Sequence, residues 1–238
     1  MSTLTPEKFL KEVDSHQMEV IRDDDVYRHV RFKRPDTICM HFDLITWPGY
    51  LCYTGDMGTY VFTRLRDMFE FFRRSHKHEM FRIDLRYWAE KVEAGDRCDG
   101  VKKFSFAKFQ AEIRQWVDRR EEDSRPDEED GEDVARHAAA FAELRREVED
   151  EVLGCDDNEV RAYDAAYEFQ HRGEAWQAYF GEKASFEFSD FWEVDVQEWT
   201  HRFVWCCFAL AWGIKQYDDA KSVSERDPRV PDMFEVAQ

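Results

Sequence analysis

The sequence predicts an α+β protein: an N-terminal antiparallel β-meander of four or five strands, followed by a mostly helical C-terminal part. Three observations predict it. Between Met18 and Thr63, runs rich in Val, Ile, Thr and aromatic residues alternate with clusters of turn residues. The connections between those runs are a few residues long, which permits antiparallel pairing and excludes the long crossovers of a parallel sheet. After Thr63 the apolar residues recur every three or four positions, the period of a helix with one buried face.

Thr5-Pro6-Glu7 reads as a helix start, with Thr5 as N-cap, Pro6 at the first helical position and an acid in the first turn; Phe9, Leu10 and Val13 supply its apolar stripe. The expected strands are 18–22, 27–33, 37–47, 50–53 and 59–63. Their turns are Asp23-Asp24-Asp25, Arg34-Pro35-Asp36, Pro48-Gly49 and Gly55-Asp56-Met57-Gly58. Leu65, Met68, Phe69 and Phe72 then mark a helix, with Arg64, Arg66, Arg73 and Arg74 on or beside its polar face. Ile83, Leu85, Tyr87, Trp88 and Val92 suggest a second helix stopped by Gly95, and Phe106, Phe109, Ile113, Trp116 and Val117 a third. A fourth runs from Val134 to Val152 with Gly154 as C-cap, and a fifth carries Val160, Tyr163, Tyr167 and Phe169. The stretch 186–191 reads as extended or loop. Asp190 is expected to cap a long helix bearing Trp192, Trp199, Trp205 and Trp212 at spacings near seven. One face of a helix carries such a series, as core packing or as a homodimer seam. From Ser222 an extended arm with Pro228 and Pro231 is expected.

Hydrophobic residues make up 43% of the 238 residues, enough for packed cores despite the charge. The longest apolar run, from Phe203 to Gly213, is shorter than the roughly 18 residues that span a bilayer. Met1 to Glu7 lacks a basic stretch followed by an apolar one, so no signal peptide and a cytoplasmic setting are expected. The six Cys form no CxxC pair, which fits free thiols in a reducing compartment better than a zinc site.

Catalytic signatures are weak. His76 and His78 beside Glu79 could chelate a metal on a strand but would diverge at a helix end, so no metal is expected. Pro35-Asp36, Pro126-Asp127 and Pro231-Asp232 lack the Glu-x-Lys partner of metal-dependent nucleases. No Gly-x-Ser-x-Gly and no Walker loop is present. No catalytic residue and no cofactor are therefore expected. The stretch from Arg64 to Arg86 interleaves Arg and Lys with Phe69, Phe71, Phe72 and Phe81. That composition suits a single-strand nucleic-acid groove, but an amphipathic helix with a solvated cationic face is the favoured reading.

Charge is distributed unevenly. Residues 1–120 hold 22 Lys+Arg and 20 Asp+Glu, a balance of +2; residues 121–238 hold 12 and 32, a balance of −20. The expected organisation follows: a near-neutral sheet-plus-helix part over 1–120, an acidic linker or loop over 121–133, and an acidic helical region over 134–238. A solvated acidic surface is the plain reading. The functional one is that ordered carboxylates imitate the phosphates of a nucleic acid and occupy a basic groove on another protein. The expected contacts are Glu121, Glu122, Asp127, Glu128, Glu129, Asp130, Glu149, Asp150, Glu151, Asp156 and Asp157, with no direct nucleic-acid binding and no membrane partner.

The segment Cys39-Met40-His41-Phe42-Asp43-Leu44-Ile45-Thr46-Trp47-Pro48-Gly49-Tyr50-Leu51-Cys52-Tyr53-Thr54-Gly55-Asp56-Met57-Gly58-Thr59-Tyr60-Val61-Phe62, continuing to Phe72, resembles uncharacterised accessory proteins of tailed bacteriophages and prophages. The resemblance carries no catalytic residues. It implies a phage protein at work in the host cytoplasm. Acidic proteins of that kind are often anti-restriction or anti-CRISPR inhibitors, so the implied partner is a bacterial defence complex. An enzyme acting on nucleotides or nucleic acid, and a phage accessory protein working through protein contacts, are the alternatives.

Overall fold

The computed structural model describes residues 4–75, 80–98, 100–127, 131–154 and 157–226. In chain order the elements are α1 (Pro6–Val13), β1 (Gln17–Asp24), β2 (Tyr27–Lys33), β3 (Phe42–Trp47), β4 (Tyr50–Gly55), β5 (Gly58–Thr63), α2 (Met68–Ser75), α3 (Leu85–Ala89), β6 (Val92–Ala94), β7 (Lys102–Phe104), α4 (Phe106–Asp123), α5 (Gly131–Glu151), α6 (Glu159–Glu168), α7 (Glu174–Phe180), a 3-10 turn (Phe191–Glu193), β8 (Gln197–Trp199) and α8 (His201–Arg226). The protein is α+β, and it forms two compact units. One is built from both ends of the chain, up to Lys103 and from Trp199 onward; the other is Phe104–Glu198. The chain leaves and re-enters the first through β7 and β8, which pair with each other. The division between the units does not fall at 121–133, the stretch expected as a linker or a loop. That stretch falls inside the second unit, and its residues 121–123 end α4, whose apolar face shares a core with α5.

In the sheet unit, β1 to β6 form one antiparallel sheet in chain order. The hairpin turns are those the sequence marks: Gly49 at φ 89° follows Pro48 between β3 and β4, and Gly55 pairs with Gly58 across Asp56-Met57. The third strand is shorter than expected, because residues 37–41 form a loop in which Met40 sits at φ 61° and donates its N–H to Asp56. The sixth strand was not foreseen. Val92 belongs to it rather than to the expected second helix: α3 is a five-residue helix capped by Asp84, and Val92 pairs with Phe62 at the open edge of β5.

Alternation sends Val30, Phe32, Phe42, Leu44, Leu51, Tyr53, Tyr60 and Phe62 to one face of the sheet, all fully buried. They pack on α8. Phe42 meets Trp205 at 5.6 Å, Phe32 meets Trp212 at 5.3 Å and Tyr60 meets Phe203 at 5.6 Å between ring centroids. Phe9 of α1 approaches Trp205 and Phe69 of α2 approaches Tyr217, at 5.1 and 5.3 Å, so α8 is covered on two sides. That is why residues 203–214 of α8 are apolar all round. Gly213 lets it lie close to the sheet, since a Cβ there would stand 3.1 Å from Leu44 Cδ1 and Phe32 Cε2. Near the end of α8 a polar cluster ties the unit together. Arg28 donates both Nη atoms to Asp67 at 2.9 and 3.0 Å, Arg73 binds Asp218, and Tyr217 and Lys221 donate to Asp23 at 2.7 Å each.

Asp190 does not cap α8. It sits at φ 57° before a three-residue 3-10 turn, and the cap of α8 is Thr200, whose Oγ1 accepts from Phe203 N at 3.2 Å. The Trp series therefore splits: Trp205 and Trp212 pack in the sheet-unit core, Trp199 ends β8, and Trp192 belongs to the helical unit. The arm expected from Ser222 does not begin there, because α8 continues to Arg226; Pro228 and Pro231 lie outside the described residues.

The helical unit has its own core. Phe109, Ile113 and Val117 of α4 and Ala140, Phe141, Leu144 and Val148 of α5 recur at helical spacing and join Ala162, Ala166, Trp176, Phe186, Phe188 and Phe191. Gly154 is not in a left-handed conformation, so it does not close α5 as expected. The helix α7 was not foreseen. Its N-terminal donors are satisfied by Glu143, whose Oε2 accepts from Ala175 N at 3.0 Å and Trp176 N at 3.2 Å.

Candidate docking surface on the helical unit

The structural boundaries sharpen the charge asymmetry. Phe104–Glu198 holds 11 Lys+Arg against 28 Asp+Glu, a balance of −17, while the rest of the chain holds 23 against 24, a balance of −1. Nearly all the excess charge thus belongs to one folded unit.

The carboxylates expected to face a partner fall into three groups. Glu121, Glu122 and Glu149 are already paired within the unit. Arg114 of α4 donates to Glu149 of α5 at 2.8 and 3.0 Å, Arg145 of α5 reaches back to Asp118 at 2.6 Å and to Glu121, and Arg125 holds Glu122 at 3.0 Å. The Arg114 and Arg145 bonds fasten α4 to α5, whereas the Arg125 pair is local, and Arg114 draws the Glu149 carboxyl below its ordinary range. Exposed pairs of this kind contribute roughly 0.2–1 kcal/mol each, and their acids are half-neutralised towards a newcomer. Asp127, Asp150, Glu151 and Asp157 form the second group: exposed, and without an ion-pair or hydrogen-bond partner among the described residues. Glu128, Glu129, Asp130 and Asp156 lie outside the described residues.

Two of the second group, Asp150 and Glu151, sit in an electrostatically unfavourable position beside Glu149. Glu149, Asp150 and Glu151 occupy the last turn of α5, which holds no base. The carbonyl end of a helix carries partial negative charge, so each acid there costs about 0.3–1 kcal/mol.

Beside α6 the same unit opens an aromatic cleft of about 300 Å³, lined by Tyr163, Asp164, Tyr167, Phe188, Phe191 and Trp192. Tyr163 and Tyr167 share a face of α6 at i and i+4, with Asp164 beside them. Phe188 and Phe191 are buried, and Phe191 lies 6.2 Å from Tyr163 between ring centroids. Tyr167 and Trp192 are 77% and 60% exposed. Asp164 is exposed and has no hydrogen-bond or ion-pair partner among the described residues. Burial raises the Tyr163 hydroxyl above its ordinary pKa, and the nearby acids Glu159 and Asp195 raise it further, so the cleft sits in a negative field. The sequence marks Tyr163 and Tyr167 as a helix stripe, but no periodicity brings residues 163–167 beside 188–192.

Other candidates divide differently. In the basic stretch after β5, Phe69, Phe71 and Phe72 are buried in the sheet-unit core and present no face to a nucleobase. Of its cations, Arg66 binds Asp25 and Arg73 binds Asp218 and Asp67. His76 and His78 lie outside the described residues, and no group of three or more His, Cys, Asp and Glu among the described residues could hold a metal. No helix among the described residues is long and apolar enough to cross a membrane. Comparison of the chain with models of protein families, with curated proteins and with solved structures finds no match in any of the three.

Proposed function

We propose that this protein is a non-enzymatic inhibitor whose helical unit, Phe104–Glu198, docks on a basic groove of a nucleic-acid-handling protein complex and keeps nucleic acid out. The observation that carries this reading is a balance of −17 concentrated in a unit with its own aromatic core. A disordered acidic tail would have to be ordered on binding, at a cost in free energy. Carboxylates such as Asp150 and Glu151, carried by a packed helix, are held in place beforehand, so the long-range attraction is gained without that cost; Asp127 and Asp157 lie outside the helices, after α4 and before α6. Asp127, Asp150, Glu151 and Asp157 are the contacts this reading favours, because they have no ion-pair partner among the described residues. The resemblance of Cys39–Phe72 to phage accessory proteins supports a bacterial defence complex as the target, met in the host cytoplasm.

The test is capture of partners by the tagged full chain from bacterial lysate, at low and high salt, with and without nuclease. A defence nuclease or guide complex held at low salt after nuclease treatment, and released as salt rises, is the expected outcome. Affinity unchanged from low to high salt would sink the mimicry.

A further inference from the structure

We propose that the aromatic cleft at Tyr163, Tyr167, Phe188, Phe191 and Trp192 is a receptor for an arginine side chain of the basic partner, with Asp164 as its carboxylate. The proposal rests on the docking reading above and names the point of specific contact within it.

The chemistry of the lining selects the ligand. Aromatic faces are negative, so a cation over them is attracted by the ring quadrupole as well as by surrounding acids. A nucleobase could stack on the same rings, but it would bring phosphates into a unit with a balance of −17. An apolar side chain would fill the aromatic part and cover Asp164 without a partner, which penalises the carboxylate. Of the two basic side chains, arginine matches both halves of the site. Its planar guanidinium stacks flat on aromatic rings, and its edge presents paired N–H donors to a carboxylate. The cleft's lining holds no Lys or Arg of this chain that would already occupy it.

The layout suits insertion from outside. Phe188 and Phe191 are buried and hold the inner surface fixed, whereas Tyr167 and Trp192 are exposed and free to close on a ligand. Burying their rings on binding also explains why two large aromatics stand exposed on a charged unit. Phosphate-mimicking acids alone would attract any basic surface; one arginine-sized receptor restricts which surface fits.

The experiment uses the full chain and a fluorescent (Gly-Arg)4 peptide, with its lysine and citrulline counterparts as competitors of equal length. Binding is read by anisotropy at two salt concentrations and by the indole N–H signal of Trp192 in NMR spectra. The arginine peptide is expected to bind and shift that signal, with the citrulline peptide weaker by at least about tenfold and the lysine peptide between them. Trp192→Ala, Tyr167→Ala and Asp164→Asn should each weaken the arginine peptide by about tenfold. All three positions are exposed, and circular dichroism checks that each variant keeps its helices. Equal binding of the citrulline peptide overturns the proposal in favour of an apolar site. Salt-sensitive binding that all three variants retain overturns the receptor while leaving the acidic docking reading intact. No binding to the wild-type chain also overturns the receptor, and the docking reading is then decided by the lysate capture.

Discussion

Asp43, on the outer face of the sheet, accepts from Arg31 at 2.9 and 2.8 Å and lies 2.7 Å from Nε2 of His29. Burial alone would raise this carboxyl, but the hydrogen bonds from Arg31 and His29 outweigh it and hold the group below its ordinary value. A carboxyl lowered in this way contributes its full stabilisation above the unfolded pKa and loses it as pH falls through the folded one. Asp43→Asn is therefore expected to lower stability at neutral pH and to flatten its decline in acid below about pH 4, measured as the denaturant midpoint against pH. The thiols make a second residue-scale prediction. Burial pushes Cys206 and Cys207 far above the ordinary thiol range, while Cys39 and Cys98 are exposed. Alkylation of the native protein should label Cys39 and Cys98 and spare Cys206 and Cys207 until denaturant is added, as peptide mass mapping would show.

The last turn of α5 is a helix end with the wrong charge. Replacing Asp150 and Glu151 by Asn and Gln should stabilise the helical unit by about 0.3–1 kcal/mol per site, seen as a higher Tm, because neither acid has a partner among the described residues. The same pair of changes should weaken capture of the partner, an exchange of binding for stability. Elements of this kind were legible in the sequence wherever their signals are local. Thr5 and Pro6 start α1, and Pro48-Gly49 turns β3 into β4. The cores of α4 and α5 follow from spacing alone. Elements fixed by distant partners were not legible. The cap of α7 is Glu143, far upstream; β6 exists because β5 offers an open edge; and Asp190 has the chemistry of a cap but the left-handed backbone of a turn. Of the candidate site, the acids were legible as composition. Their pairing by Arg114, Arg125 and Arg145, and the assembly of the aromatic cleft, depend on contacts between residues that no local pattern relates.

At the scale of the whole molecule, the helical unit is an insertion within the sheet unit. The sheet's buried face is completed by α8, which the ribosome delivers after the insertion. A chain ending at Glu198 should therefore expose Phe32, Phe42 and Leu44 and lose the cooperative unfolding of the sheet unit, while the helical signal of Phe104–Glu198 persists in circular dichroism. The insertion also explains why a cut at residue 120 blurred the charge asymmetry: it left the basic residues of α4 with the sheet, although they belong to the acidic unit, where Arg114 fastens α4 to α5. In the proposed reading function divides as the charge does, with the sheet unit as the near-neutral body and the helical unit as the contact. The most direct test compares two charge-neutralised forms of the full chain in the low-salt capture. One carries Asn or Gln at Asp127, Asp150, Glu151 and Asp157; the other loses the same charge at the exposed acids Asp14, Glu19, Glu90 and Glu93 of the sheet unit. Loss of the partner with the first form and retention with the second is the predicted result. Equal capture by both forms would contradict the assignment of binding to the acidic helical unit.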